Sequence, residues 1–94
     1  MTVSPGSIVR QSTRTASRVI EGQAVVIVID AQKLYTMNAV GTRVWELADG
    51  RPLSRIVDAV VDEFETDRAT AEKEVSAFIA ELRELCALEV DERS

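Results

Sequence analysis

Residues 34–47 join a short β-strand directly to an α-helix, and this junction constrains the fold more than any other stretch. In a pleated strand, Leu34 and Thr36 would lie on one face and Tyr35 and Met37 on the other. Asn38 follows, and asparagine is a preferred helix N-cap. After it, valine and leucine recur at helical spacing up to residue 47. The sequence therefore predicts strands before this junction and helices after it.

Three strands are predicted on the N-terminal side, at residues 17–20, 24–29 and 33–37. The middle one is a run of six apolar residues, five of them β-branched, which favours a central strand. Short polar turns separate the strands, so a three-stranded antiparallel meander is the simplest arrangement.

The predicted boundaries give one domain with two flanking segments. Residues 1–15 are rich in Ser, Thr and Arg and are predicted to be a flexible N-terminal arm, with at most a short extended piece at 8–11. Residues 16–90 form the domain, and residues 91–94 form a charged tail.

Three helices are predicted on the C-terminal side. The first covers 39–48 and ends at Asp49-Gly50, the second has Pro52 in its first turn, and the third has Asp67 as its N-cap. Both later helices are amphipathic. The apolar face of the third is formed by Ala71, Val75, Phe78, Ile79, Leu82, Leu85 and Cys86. The order of three strands and then three helices predicts an α+β fold.

The composition argues against catalysis and against a membrane span. The 94-residue chain has no histidine, the most common general base, and its four glycines are isolated from one another. Its single cysteine, Cys86, is predicted to be a buried structural thiol, which fits a reducing compartment. No apolar run approaches the ~20 residues that cross a bilayer, so a cytoplasmic location is expected. No metal ligand set or cofactor motif is predicted.

Binding of an extended peptide is the function that the predicted sheet supports. The first and third strands of a three-stranded meander are both edges with unpaired backbone groups, and residues 33–37 carry few of the features that normally protect an edge. A peptide could add to the third strand through main-chain hydrogen bonds. The third helix, with Phe78 and Ile79 at its middle, would form the other wall of the groove.

Several segments together resemble the PqqD family. They are Met37-Asn38, Val44-Trp45-Glu46-Leu47 and Asp49-Gly50, and the resemblance extends over about residues 17 to 90. The family comprises the small peptide chaperones of pyrroloquinoline quinone (PQQ) biosynthesis. It also includes the recognition elements of other ribosomally synthesised and post-translationally modified peptides (RiPPs). The chain departs from the family pattern at Gly41, where Ala is frequent, and at Ala87-Leu88, where Gly-Leu is common.

The resemblance implies a winged helix-turn-helix-like fold and a role in peptide recognition. Such a domain captures the leader segment of a precursor peptide and presents it to a modifying enzyme, often a radical SAM protein. The leader adds to the third strand against the third helix. Carried over to this chain, the implied contacts are Leu34, Tyr35, Thr36, Val75, Phe78, Ile79 and Leu82, with Lys33 and Lys73 as partners for acidic leader residues. A proline at Tyr35 or an aspartate at Phe78 is expected to abolish binding.

Three other hypotheses compete with this one or accompany it. A winged-helix DNA-binding protein is the main alternative. It would need a basic recognition helix, whereas residues 67–86 carry three Lys/Arg against five Asp/Glu. A purely structural subunit of a larger enzyme is not separable from the leading hypothesis by sequence. Homodimerisation through the open strand edge is compatible with either.

Overall fold

The computed structural model describes residues 6–91, which fold into two antiparallel sheets and three helices. The strands are β1 (Ile8–Gln11), β2 (Thr15–Ile20), β3 (Gln23–Val28), β4 (Lys33–Thr36), β5 (Asp49–Pro52) and β6 (Leu88–Asp91). The helices are α1 (Ala39–Leu47), α2 (Leu53–Phe64) and α3 (Arg68–Glu84). The predicted α+β class, the meander β2-β3-β4 and the three helices after it are confirmed.

The central strand β3 shows alternating burial, although its sequence is apolar throughout. Ala24, Val26 and Val28 are almost completely buried on the face that packs on the helices. Ile27 lies on the opposite face, where 43% of it is exposed. The position of β3 between β2 and β4 is as predicted, but only one face of the sheet is covered in the described chain.

The second sheet was not predicted, although the short extended piece expected at 8–11 is one of its strands. Strand β1 lies in its centre, between β5 and β6, and Val9 is fully buried. The partners of β1 lie about forty and eighty residues further along the chain, so no local sequence pattern predicts the pairing. Strand β6 extends to Asp91. Residues 1–5 and 92–94 lie outside the described residues.

The connection from α1 to α2 also differs from the prediction. Residues 49–52 form β5 instead of a simple turn, and Gly50 has a positive φ of 103° within that strand. Pro52 is the last residue of β5 and the N-cap of α2, so it lies just before the first turn of the helix. Because proline has no N–H, placing it here removes no hydrogen bond from the helix.

Both predicted side-chain caps are confirmed. Asn38 Oδ1 accepts a hydrogen bond from the Gly41 N–H at 2.8 Å, and Asp67 Oδ1 accepts one from the Thr70 N–H at 2.9 Å. The bonds from Thr70 lower the pKa of the Asp67 carboxyl below its ordinary value. The contribution of this cap to stability is therefore present at neutral pH and is lost as the pH falls through that lowered pKa.

A buried hydrogen bond fixes α1 to the sheet. Thr42 is 5% exposed, and its hydroxyl accepts a hydrogen bond from the Ala24 N–H at 2.8 Å while donating to the Met37 carbonyl at 3.4 Å. Met37 directly follows β4, so this one hydroxyl ties the start of α1 to both β3 and the end of β4. None of the helices among residues 6–91 is long and apolar enough to cross a membrane.

We expect Thr42→Val to destabilise the fold by about 1–3 kcal/mol, because it leaves the buried Ala24 N–H without an acceptor. Thr42→Ser retains the hydroxyl and serves as the control. Urea unfolding followed by circular dichroism would measure both. Equal stability of the Val and Ser variants would show that the hydroxyl contributes nothing.

Candidate functional site

Strand β4 is a free edge of its sheet. Within residues 6–91 it pairs with β3 alone, and all pairs in this sheet are antiparallel. Leu34, in this strand, is 59% exposed. The edge on which strand addition depends is therefore present.

The register shows which backbone groups of β4 are unpaired. The Met37 N–H donates to the Ala24 carbonyl at 2.9 Å, so the backbone N–H of Met37 faces β3. The N–H and C=O groups of successive residues face opposite sides of an antiparallel strand. The backbone groups of Tyr35 therefore also face β3, whereas those of Leu34 and Thr36 face outward. The two outward residues supply the N–H and C=O groups to which another strand could bond.

A first cleft lies where the end of β4 meets α1 and α3. Its volume is about 400 Å³. Buried Val44 and Val75 form its apolar floor, half-buried Phe78 forms a wall, and exposed Glu74 lies at the rim. It is lined by Thr36, Met37, Asn38, Val40, Gly41, Val44, Glu74, Val75 and Phe78. An apolar side chain of a bound strand would be removed from water here.

A second cleft, of about 460 Å³, lies at the opposite end of β4. It is lined by Ser12, Arg14, Val28, Asp30, Ala31, Lys33, Tyr35, Glu84, Leu85 and Cys86. Arg14 and Asp30 form an exposed ion pair of 2.7 Å at this end. The hydrogen bond from Arg14 lowers the pKa of the Asp30 carboxyl. Unlike the first cleft, this one has charges of both signs around an apolar centre.

The residues lining the two clefts show that β4 and α3 run in opposite directions. Thr36 and Phe78 line the first cleft, whereas Lys33 and Leu85 line the second. A strand added to β4 would therefore pass along α3 and meet both clefts.

The structure brings together some of the residues implied by the family resemblance and separates others. Val75, Phe78 and Thr36 line the first cleft, and Lys33 and Tyr35 line the second. Leu34 lies on the free edge. The remaining three differ: Ile79 and Leu82 are buried in the core, at 0% and 4% exposed, and exposed Lys73 lines neither cleft.

Sequence reasoning missed the contribution of α1 to the site. Asn38, Val40, Gly41 and Val44 all line the first cleft, so the groove has a third wall besides β4 and α3. The apolar spacing of the two valines was visible in the sequence, but it indicated only a core face. Nothing in that spacing shows which part of the face remains open.

Cys86 is exposed, which corrects the prediction of a buried thiol. Helix α3 ends at Glu84, and the Ala87 N–H donates to the Leu82 carbonyl at 2.9 Å while the Cys86 N–H donates to the Arg83 carbonyl at 3.0 Å. This is the Schellman pattern, with Cys86 in the left-handed C′ position at φ 62°. The turn rotates Cys86 away from the apolar stripe that the helical spacing assigns to it.

Among residues 6–91, no group of three or more Cys, Asp or Glu side chains is arranged to hold a metal ion. What the groove offers is main-chain hydrogen bonding along β4 and apolar clefts beside α3.

Comparison with known proteins gives a family match and three structural neighbours. The family model described as coenzyme PQQ synthesis protein D (PqqD) matches residues 23–88. TbiB1, solved in complex with the TbiA(beta) leader peptide, is 30% identical with a TM-score of 0.80. That match covers 85% of this chain and 94% of TbiB1. No curated protein sequence matches the chain.

The other two neighbours share the fold at lower identity. A lasso peptide synthetase B1 complexed with its leader peptide is 17% identical with a TM-score of 0.75, over 86% of this chain and 96% of its own. The PqqD part of Methylobacterium extorquens PqqCD, described as a stand-alone RiPP recognition element, is 21% identical. Its TM-score is also 0.75, over 93% of this chain and 94% of its own.

We expect the Cys86 thiol to react with dithionitrobenzoate as rapidly in the folded protein as in urea, because the Schellman turn holds it at the surface. The absorbance of the released thionitrobenzoate at pH 8 measures both rates. A native rate lower than the denatured rate by about a hundredfold or more would mean that the thiol is exposed only by an opening reaction.

Proposed function

The chain belongs to the PqqD family, and from this premise we propose that it is a non-catalytic peptide chaperone of RiPP biosynthesis. It binds the leader segment of a ribosomally synthesised precursor peptide by strand addition and presents that peptide to a modifying enzyme. The observation that carries the proposal is the free β4 edge beside an apolar groove. That TbiB1 and the lasso peptide synthetase B1 were each solved with a leader peptide supports it.

Affinity in this proposal comes first from the backbone ladder. The outward N–H and C=O groups of Leu34 and Thr36 would pair with the leader, which becomes a fourth strand of the β2-β3-β4 sheet. Because β4 is held by β3 on one side and by the Thr42 hydroxyl bond to Met37 at its end, the edge is already ordered before binding. Less conformational entropy is then lost on association.

Selectivity comes from the side chains along the groove. Alternate leader residues would face α3, and the first cleft favours an apolar one over the floor of Val44 and Val75. Lys33, at the second cleft, is a candidate partner for an acidic leader residue. Lys73 lines neither cleft, so we propose for it only a longer-range electrostatic attraction to acidic leader residues.

DNA binding receives no support from the described structure. The exposed positions of α3 include Glu72, Glu74, Glu81 and Glu84, and Arg68 is engaged with Asp58 and Glu72. A helix with this charge would repel the phosphates on either side of a major groove.

The proposal extends to the partner enzyme and to the location of the complex. The modifying enzyme is a radical SAM protein or another RiPP maturase, and the product is PQQ or another modified peptide. The complex would form in the cytoplasm, where precursor peptides are synthesised. A homodimer could form through the same β4 edge when no leader occupies it.

The strand register shows that proline at Leu34, and not at Tyr35, tests strand addition. Proline at Tyr35 would delete an N–H that faces β3 and would damage the fold, whereas proline at Leu34 deletes an N–H that faces outward. We expect Leu34→Pro to weaken leader binding by about tenfold or more relative to Leu34→Ala, because one ladder bond is lost and a leader carbonyl is left unpaired.

Calorimetry with the leader segment of the precursor encoded beside this chain's gene would measure the difference. Leu34→Ala keeps the amide and removes the same exposed side chain, so it isolates the backbone contribution. Equal affinities of the Pro and Ala variants, with both folded by circular dichroism, would exclude pairing at this amide.

We expect Phe78→Asp to abolish leader binding, because a carboxylate would be placed in the apolar wall of the first cleft. Phe78→Leu keeps the wall apolar and should remain within about threefold of the native affinity. Both are measured in the same titration. Unchanged binding of a folded Asp variant would remove the first cleft from the peptide site.

A further inference from the structure

Gly41 lies in unusually close contact with the wall of the first cleft. A Cβ at this position would lie 3.1 Å from Phe78 Cζ, 3.3 Å from Asn38 Oδ1 and 3.3 Å from Met37 Cβ. Gly41 is itself buried within α1 and lines the same cleft. Any larger residue would therefore require a neighbour to move.

Of the three neighbours, Phe78 is the one that can move. Met37 Cβ is bonded directly to the backbone, at the end of β4. Asn38 Oδ1 is held by the N-cap bond from the Gly41 N–H at 2.8 Å. The Phe78 ring, by contrast, is the outer end of a half-buried side chain that is free on its cleft side. A methyl group at Gly41 would thus require the ring to shift by a few tenths of an ångström, toward its open cleft side.

We infer that Gly41 determines the specificity of the first cleft by allowing the Phe78 ring to pack against α1. With the ring in that place, the cleft accepts a bulky apolar side chain, aromatic or long aliphatic, from the bound peptide. Its volume of about 400 Å³ is ample for one such side chain. This inference rests on the proposed function, since it assigns the size of the leader residue that the site selects.

A purely structural role for Gly41 makes a different prediction. If glycine only allowed α1 and α3 to pack, its replacement would alter stability and would weaken all leader peptides by the same factor. If it sets the depth of the cleft, the loss of affinity depends on the size of the leader residue that enters. Specificity is a difference between affinities, so the two roles separate when two peptides are compared.

The experiment is a binding cycle on the full chain with Gly41→Ala. Fluorescence anisotropy is measured with the labelled leader segment of the precursor encoded beside this gene, and with single-alanine variants of each of its bulky apolar residues. One of these variants should bind the native protein about tenfold more weakly and so identify the anchor. Gly41→Ala should weaken the unaltered leader by about tenfold or more, and the anchor-to-alanine leader by less than about threefold.

A second substitution controls for a general packing defect. Phe78→Leu removes the Cζ atom that the new Cβ would meet. The double variant Gly41→Ala/Phe78→Leu should therefore bind the leader within about threefold of Phe78→Leu alone. Thermal unfolding should show Gly41→Ala folded, since alanine favours a helix over glycine. An equal loss for both leaders, or no rescue by Phe78→Leu, overturns the inference.

A small-molecule titration makes the result independent of the leader. Benzyl alcohol is added to protein labelled at the methionine methyl groups, and the NMR signal of Met37, which lines the first cleft, is followed. A saturable shift in the native protein that Gly41→Ala abolishes supports the inference, and equal shifts, or none, in both proteins overturn it. If the native chain binds no leader, the proposed function fails, and this titration alone decides the role of Gly41.

Discussion

The unpaired backbone edge of β4 is the constraint around which the rest of the molecule is arranged. A strand edge exposes N–H and C=O groups that bond readily with another chain, and folded proteins normally protect such edges. Here the edge is left open, with its outward groups at Leu34 and Thr36. It is placed between apolar clefts that restrict what can pair with it. The proposed selective recognition of a peptide rests on this combination of an open edge and apolar clefts.

The parts of the fold away from the edge keep it in position. Strand β1 joins β5 to β6 and so ties the end of α1, the start of α2 and the end of α3 into one sheet. The buried hydroxyl of Thr42 fixes the start of α1 to β3 and to the end of β4. The end of β4 is thereby held in place beside α1.

Local patterns in the sequence were sufficient for most of the elements. The β-branched run at 24–29 identified β3, and the caps Asn38 and Asp67 located the starts of α1 and α3. The second sheet was not predicted, because β1 is short and pairs with residues far along the chain. Cys86 was misplaced for a related reason. Its spacing belongs to the apolar stripe, but the Schellman turn had already ended the helix.

The sequence by itself determined the class of fold and the family, because these depend on periodicity and on motifs within short segments. Only the tertiary structure decided which amides of β4 face outward, how α1 completes the first cleft, and that Gly41 lies against Phe78. These features depend on the register between strands and on contacts between residues nearly forty positions apart. Such contacts arise from the packing of the whole domain, and no local pattern encodes them.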